Sequence, residues 1–188
     1  MSNGVCTVSY DAKKGFTKKL HDDKTFFVSH PDKCGVIRIK RTGEKLNTEF
    51  RLSSAHGTVK YENNKIVHSG DLEDNSLKFC LIANVLTDGV ATATEKCITI
   101  SDATEMTVIF SADTDYMDNY PVYRTGESTK ELYDRVDKCV SDATEKGYDE
   151  LLKAHKEDFN KIMSRVAINL DGEDNVPADK LLYGYSNN

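Results

Sequence analysis

Residues 111–166 read SADTDYMDNYPVYRTGESTKELYDRVDKCVSDATEKGYDELLKAHKEDFNKIMSRV, and this stretch decides the fold of the chain. It starts at the end of an apolar strand, passes through a loop rich in tyrosine and ends in two amphipathic segments. Before it, short apolar segments alternate with turns, and after it come one brief apolar segment and a polar tail. The stretch is therefore predicted to connect a β domain to a further structural unit.

Two consecutive helices are predicted in the second half of this stretch. Ser128 and Glu131 form a capping box, in which each side chain satisfies a free amide at a helix start. The first helix ends at Gly147, and its apolar face carries Leu132, Val136, Cys139, Val140 and Ala143. The second helix starts at about Tyr148, and its apolar stripe carries Leu151, Leu152, His155, Phe159, Ile162, Met163 and Val166. Such faces must be covered, so the first helix is predicted to pack on the sheet or on its neighbour.

The first 112 residues carry strand patterns without helical periodicity. A turn is expected at 11–15, a bulge or lengthened turn at 21–23, and a type I′ hairpin at Asp88-Gly89. Short strands separated by turns are typical of an antiparallel β-sandwich. The predicted fold class is mainly β with α: a partial supersandwich followed by a two-helix linker and a short strand at 167–170. Strands are expected at 4–10, 16–20, 24–28, 35–40, 46–52, 57–61, 65–69, 77–86, 90–95, 97–101 and 106–112.

Composition excludes several classes of partner. The net charge of −6, with both signs interspersed, argues against nucleic acid, and no apolar run is long enough for a membrane span. The first residues, MSNGVCTVSYD, lack the features of a secretory signal, so the chain as it stands is expected to be cytoplasmic. Its five cysteines lie within strand or helix patterns, and we expect them to be reduced and buried.

Several motifs occur together in an order that identifies a family resemblance. They are DTDY at 113–116, YPVYR at 120–124 and YDELLKAHKEDFNKIMSRVAINL at 148–170, together with TFFVSHPDKCGVIRI at 25–39 and VPADKLLYGYSNN at 176–188. This order resembles glycoside hydrolase family 95, the α-L-fucosidase type of inverting glycosidase. The resemblance implies a β-sandwich over 1–113, a loop and two-helix linker with a short strand over 114–170, and a polar tail over 171–188.

The family resemblance also implies what this chain does not contain. In family 95 the linker leads into a catalytic (α/α)6 barrel, and 188 residues are too few for both a sandwich and a barrel. The family's catalytic residues lie in that barrel, so no catalytic residue is assigned here and the chain alone is expected to be inactive. The family's opening strands are also absent before Gly4. The expected partners are therefore the missing barrel or a second copy of the chain. The resemblance also implies that the parent protein could be secreted, since family members are often exported.

Four residues of the tyrosine-rich loop are the candidate contacts: Tyr116, Tyr120, Tyr123 and Arg124. They are predicted to meet either carbohydrate, through aromatic faces, or the catalytic barrel. Three aspartates of the same loop lack the glycine and distal glutamate of a calcium loop, so capping and turn hydrogen bonds are expected of them: Asp113, Asp115 and Asp118. No metal or cofactor is predicted, since the histidines lack ligand spacing and no nucleotide-binding motif occurs.

The sequence thus predicts a non-catalytic N-terminal domain of an α-L-fucosidase-like glycoside hydrolase, which supports the catalytic barrel. The alternative is a free-standing carbohydrate-binding module, which the lack of tryptophan disfavours because tryptophan is the commonest sugar-stacking residue. An enzyme active on its own is ranked last, because a sequence cannot show a pair of carboxylates in a cleft.

Overall fold

The computed structural model describes residues 3–14, 18–166 and 180. In this part of the chain, ten strands precede two helices. The strands are β1 (Cys6–Lys14), β2 (Lys18–Ser29), β3 (Cys34–Thr42), β4 (Leu46–Phe50), β5 (Thr58–Glu62), β6 (Lys65–Asp71), β7 (Lys78–Thr87), β8 (Val90–Ala93), β9 (Ile98–Ala103) and β10 (Glu105–Thr114). The helices are α1 (Thr129–Lys146) and α2 (Tyr148–Met163). The strand predicted at 167–170 lies outside the described residues.

The strands form two antiparallel sheets of unequal size. The large sheet has the order β1-β2-β3-β10-β7-β6-β5, and the small sheet has the order β4-β9-β8. The small sheet packs on one face of the large sheet, and α1 and α2 cover the other face. The predicted antiparallel β-sandwich followed by two helices is therefore confirmed.

Strand β10 lies at the centre of the large sheet and is apolar on both faces. Val108 points into the core between the two sheets, whereas Ile109 points into the core beneath the helices. Successive side chains of a strand point to opposite faces, so a strand with two covered faces needs an unbroken apolar run. The buried core between the sheets consists of Leu46, Ile66, Ala83, Val85, Ile98, Ile100, Ala103, Met106 and Val108.

The two helices complete the third layer by packing on the large sheet. In α1, Leu132, Val136 and Val140 are buried against Cys80 and Ile82 of β7. In α2, Leu151 is buried beside Phe27 of β2, Val36 and Ile109. The Ser128 side chain accepts from the Glu131 amide in the predicted capping box, and α1 ends at Gly147 as expected. Of the two packing arrangements left open for the first helix, the sheet is thus its main support.

The predicted interruption of β2 at 21–23 is wrong, and the turn predicted at 11–15 is wrong over the described residues 11–14. Strands β1 and β2 instead pair continuously, and a buried ion pair explains how a polar stretch stays in the sheet. Arg41 on β3 donates to both oxygens of Asp22, at 2.6 and 2.7 Å, and the Tyr10 hydroxyl donates to Asp22 Oδ2 at 2.8 Å. These bonds satisfy a carboxylate that is almost fully buried.

The hairpin predicted at Asp88-Gly89 is also wrong. The chain crosses here from β7 in the large sheet to β8 in the small sheet, and neither residue has the positive φ of a type I′ turn. The Asp88 carboxylate accepts from the backbone amides of Thr104 and Glu105, at 2.8 and 2.9 Å. With the Thr104 hydroxyl, these bonds lower the pKa of Asp88 to about 2. Asp88 therefore links the segment that crosses between the two sheets to the turn between β9 and β10.

All five cysteines are free thiols, but they differ in burial. Cys34, Cys80 and Cys97 are buried, Cys139 is half-buried and Cys6 is exposed on the edge strand β1. Burial raises the pKa of the Cys34 thiol to about 12 and that of Cys80 to about 11, so both stay protonated. The expectation of buried cysteines therefore holds only in part for Cys139 and is wrong for Cys6, which lies in a part of β1 (6–11) whose side chains are exposed on both faces.

Candidate functional site

Two exposed surfaces lie at the same end of the large sheet. Strands β2 and β10 both pair antiparallel with β3, so they run in one direction and their last residues, Ser29 and Thr114, lie at one end. We call this the loop end. Helix α2 also finishes here, because Asp158 in its second half lies 3.2 Å from His30 in the turn after β2.

The first surface is the tyrosine loop, residues 115–125, which forms most of the connection between β10 and α1. Its three tyrosine side chains are exposed, with 54% of Tyr116, 86% of Tyr120 and 38% of Tyr123 accessible. The rings of Tyr116 and Tyr123 are parallel, with centroids 6.4 Å apart. The ring of Tyr120 stands edge-on to that of Tyr123 at 6.2 Å. The structure therefore brings the three predicted tyrosines together as one exposed aromatic cluster.

The buried carboxylate of Asp115 anchors the base of this loop. It accepts from the backbone amide of Lys78 at 2.9 Å, and the Lys78 ammonium lies 3.3 Å from its other oxygen. The Nε atom of Arg124 lies 3.7 Å from the same carboxylate. Two cations thus offset the cost of burying one anion, and they tie both ends of the loop to the start of β7.

Arg124, the fourth predicted contact residue, stabilises the loop through hydrogen bonds to backbone carbonyl oxygens. Its guanidinium donates to the carbonyl oxygens of Asn75 and Tyr123, both at 2.9 Å. The Asn119 side chain bonds the backbone of Arg124 twice, at 3.0 and 3.1 Å. Arg124 lies next to the three tyrosines as expected, but its donors are already engaged within the protein.

Asp113, a second of the three predicted aspartates, also makes contacts within the protein. The Asp113 carboxylate pairs with Arg135 of α1 and accepts from the Thr114 amide. Among the described residues, no group of three or more His, Cys, Asp or Glu side chains is arranged to hold a metal ion. Asp113 and Asp115 therefore act through ion pairs and backbone hydrogen bonds.

The second surface is the exposed stripe, formed by Val28, Ile162, Met163 and Val166. These side chains are 69%, 63%, 55% and 72% accessible, respectively. The first half of the same helical stripe is covered: Leu151 is fully buried, and His155 stacks on Phe27 and bonds the Gly4 carbonyl oxygen at 3.1 Å. His155 is thus a hydrogen-bonded core histidine, and the stripe loses its cover only at the loop end.

A groove of about 420 Å³ lies at the loop end between the turn after β2 and α1. Its charged side chains neutralise one another, because Lys146 pairs with Asp32 and Lys138 pairs with Asp142. Arg135 pairs with Asp113 and Glu127 in the same way. The groove therefore presents little net charge to a ligand.

Sequence reasoning missed a cluster on β1 and β2 with the connectivity of a catalytic triad. The Ser9 hydroxyl lies 3.2 Å from His21 Nε2, and Asp11 Oδ1 lies 2.8 Å from His21 Nδ1. However, Nε2 also lies 3.3 Å from Asp23, and the hydrogen bond with Asp11 raises the pKa of His21. Carboxylates on both sides favour the charged imidazolium, which cannot accept a proton from serine. Period-2 spacing of Ser9 and Asp11 was the only signal for this cluster.

We expect His21 to titrate above its ordinary pKa of 6.5 and to link β1 to β2 while charged. Because the folded pKa is raised, this contribution to stability is complete below pH 6.5 and is lost as the pH rises through the folded pKa. NMR titration of the His21 ring checks the expectation, and Asp11→Asn should lower its pKa. A His21 pKa at or below 6.5 in the unaltered chain would contradict this assignment.

No described helix is both long enough and apolar enough to cross a lipid bilayer.

The sequence and the fold were compared with those of known proteins. Residues 1–119 match the family model described as "Glycosyl hydrolase family 65, N-terminal domain", so the matching model is of family 65 rather than family 95. No curated protein matches the chain. A solved structure described as "Putative kojibiose phosphorylase from human microbiome" matches with a TM-score of 0.62 and 12% sequence identity. The match covers 85% of this chain and 23% of that protein, and at this identity it shows the fold alone. The chain therefore belongs to the family of N-terminal domains of glycosyl hydrolase family 65.

Proposed function

We propose that this chain is the non-catalytic N-terminal domain of a glycoside hydrolase and that it supports and positions a catalytic domain. The observation that carries the proposal is the exposed stripe, which continues the covered face of α2 beyond the sheet at the loop end. The family match supports the assignment, and the chain spans only 23% of the phosphorylase with the same fold.

The exposed stripe has the energetics of an interface. Burying one large aliphatic side chain is worth about 1.5 to 3 kcal/mol, so covering four of them yields a substantial driving force. Contiguous exposed apolar side chains on a folded domain mark sites of protein contact. Helix α2 runs toward this end, so a following catalytic domain would meet the stripe first.

For the parent enzyme, we propose the α-L-fucosidase type. The support is the resemblance of 113–124 and 148–166 to family 95 motifs, which lie in the tyrosine loop and in α2. The family 65 match makes a phosphorylase the competing assignment. Both assignments share the same role for this domain and differ in the substrate of the catalytic domain.

Complementation tests both levels of the proposal. The chain is mixed with the catalytic domain of a family 95 α-L-fucosidase or, in a second arm, with that of a kojibiose phosphorylase. We expect a complex with the fucosidase domain by light scattering, together with increased hydrolysis of an aryl α-L-fucoside. Phosphorolysis of kojibiose that increases only in the second arm would transfer the chain to the phosphorylase type.

The exposed stripe is tested by introducing charge. Ile162→Asp with Val166→Asp should abolish the complex, because it would place two carboxylates in an apolar interface. Asn160→Asp is the matched control, since it adds a carboxylate to an exposed position of the same helix and should leave the complex intact. Turnover by the chain alone that a single carboxylate replacement abolishes would overturn the non-catalytic assignment.

A further inference from the structure

The tyrosine loop presents its rings as an open corner. Tyr116 and Tyr123 are parallel, Tyr120 stands nearly perpendicular to Tyr123 at 82°, and none of the three phenol oxygens has a hydrogen-bond partner among the described residues. A buried tyrosine normally bonds its hydroxyl group to the protein, whereas these three side chains are exposed. Three neighbouring tyrosines with free hydroxyl groups thus form a surface that offers both flat apolar faces and polar donors.

This corner is organised before any ligand arrives. The Asn119 side chain bonds both the amide and the carbonyl of Arg124, and the Asn119 carbonyl accepts from the amides of Val122 and Tyr123 at 3.0 and 2.9 Å. Below them, Arg124 and Lys78 hold the buried Asp115. A loop that is already ordered loses little conformational entropy on binding. Tyrosine itself adds large contact area with few rotatable bonds.

The charged side chains near the tyrosine rings, Arg124 and Asp118, indicate which chemical class of ligand the loop could bind. The Arg124 guanidinium is engaged with two carbonyl oxygens, so it offers no free cation to an acidic group. Asp118, exposed in the same loop, adds a carboxylate that can accept hydrogen bonds but repels anions. A neutral ligand with one apolar face and several hydroxyl groups satisfies all of these features, which is the chemistry of a neutral pyranose.

We propose that the tyrosine loop is a saccharide-binding site, in which a neutral sugar ring stacks on Tyr120 within the corner that Tyr120 makes with the parallel rings of Tyr116 and Tyr123. The ring faces contact the C–H groups of the sugar, and the phenol hydroxyl groups and Asp118 bond its hydroxyl groups. The site rests on the proposed function only for the choice of sugars to test. It lies at the loop end with the exposed stripe, so bound saccharide would lie close to a docked catalytic domain.

Binding is measured on the full chain alone by NMR, with 2′-fucosyllactose and kojibiose as the probes. We expect 2′-fucosyllactose to shift the amide signals of residues 115–125. Tyr120→Ala should weaken binding about tenfold, the change expected for losing one ring contact worth about 1.4 kcal/mol. Tyr120→Phe keeps the ring and should lose less. Because Tyr120 is the most exposed of the three tyrosines, its truncation should leave the fold intact.

Val90→Ala is the control, since it truncates an exposed apolar residue on the small sheet and should not change the affinity. Shifts centred elsewhere, unchanged affinity in Tyr120→Ala, or no shifts with either sugar would each overturn the saccharide site. If Tyr120→Ala instead impairs complementation by the catalytic domain without any sugar binding, the loop is a protein contact and the inference fails while the proposed function stands. If the variant Ile162→Asp with Val166→Asp loses complementation but still binds sugar, the result supports both the proposed function and the saccharide site.

Discussion

Replacing Leu151 by alanine should lower the free energy of unfolding by about 3 kcal/mol, within the range for truncating a fully buried leucine. Leu151 is completely buried between α2 and the large sheet, beside Phe27, Val36 and Ile109. The loss combines the transfer free energy of the removed atoms with the cost of a cavity that packed neighbours cannot fill. Chemical denaturation followed by circular dichroism measures the change, and the melting temperature should fall by about 6 to 12 °C.

The matched control is Ile162→Ala on the same helix, one residue before its end at Met163. Ile162 is 63% exposed, so its truncation should cost less than about 1 kcal/mol. A cost equal to that of Leu151→Ala would mean that the exposed stripe is covered in solution, for example by a second copy of the chain. Light scattering on the same samples would then show a species larger than the monomer.

Replacing Asp22 by alanine should cost about 3 kcal/mol at neutral pH, because it removes the carboxylate that accepts from the Arg41 guanidinium and from the Tyr10 hydroxyl group. Hydrogen bonds from Arg41 lower the pKa of Asp22 below its ordinary value of 3.8. Its contribution is therefore complete above pH 3.8 and is lost as the pH falls through the folded pKa. Urea denaturation of both proteins between pH 7 and pH 2 should show the difference shrinking as the pH falls.

The double variant Asp22→Val with Arg41→Val separates the ion pair from the packing of these positions. Replacing a buried ion pair by apolar residues of β propensity is often close to neutral, so the double variant should be more stable than Asp22→Ala. A double variant that is less stable than the single one would show that the network contributes net stability. In that case the polar stretch of β2 would be required for the pairing of β1.

The parts of this fold that were predictable rest on local patterns with one physical solution. The capping box at Ser128 and the glycine at 147 set the ends of α1, and alternating apolar residues set most strands. Two of the errors involve Asp22 and Asp88, where a polar residue normally signals a turn. Each carboxylate instead finds partners distant in sequence, Arg41 for the first and Thr104 and Glu105 for the second, and no local pattern shows such partners.

The residues that form the candidate surfaces could be predicted from the sequence, but their arrangement in space could not. Aromatic content identified Tyr116, Tyr120 and Tyr123, yet their mutual orientation depends on bonds from Asn119 and on the buried Asp115. In the sequence, the seven residues of the stripe predicted for the second helix formed one uniform row. Only the position of the sheet beneath it shows that Leu151 is covered whereas Val166 is not.

The position of β10 has a consequence for how the protein is made. The large sheet consists of two meanders, β1-β2-β3 and β5-β6-β7, and among the described strands it is β10 that joins them. Pairing over such long separations in sequence slows folding, since the chain loses loop entropy before the contacts form. On the ribosome, the inner edges of β3 and β7 stay unpaired until residues 105–114 emerge. Through that interval the nascent chain exposes two strand edges, the feature that makes folding intermediates prone to aggregate.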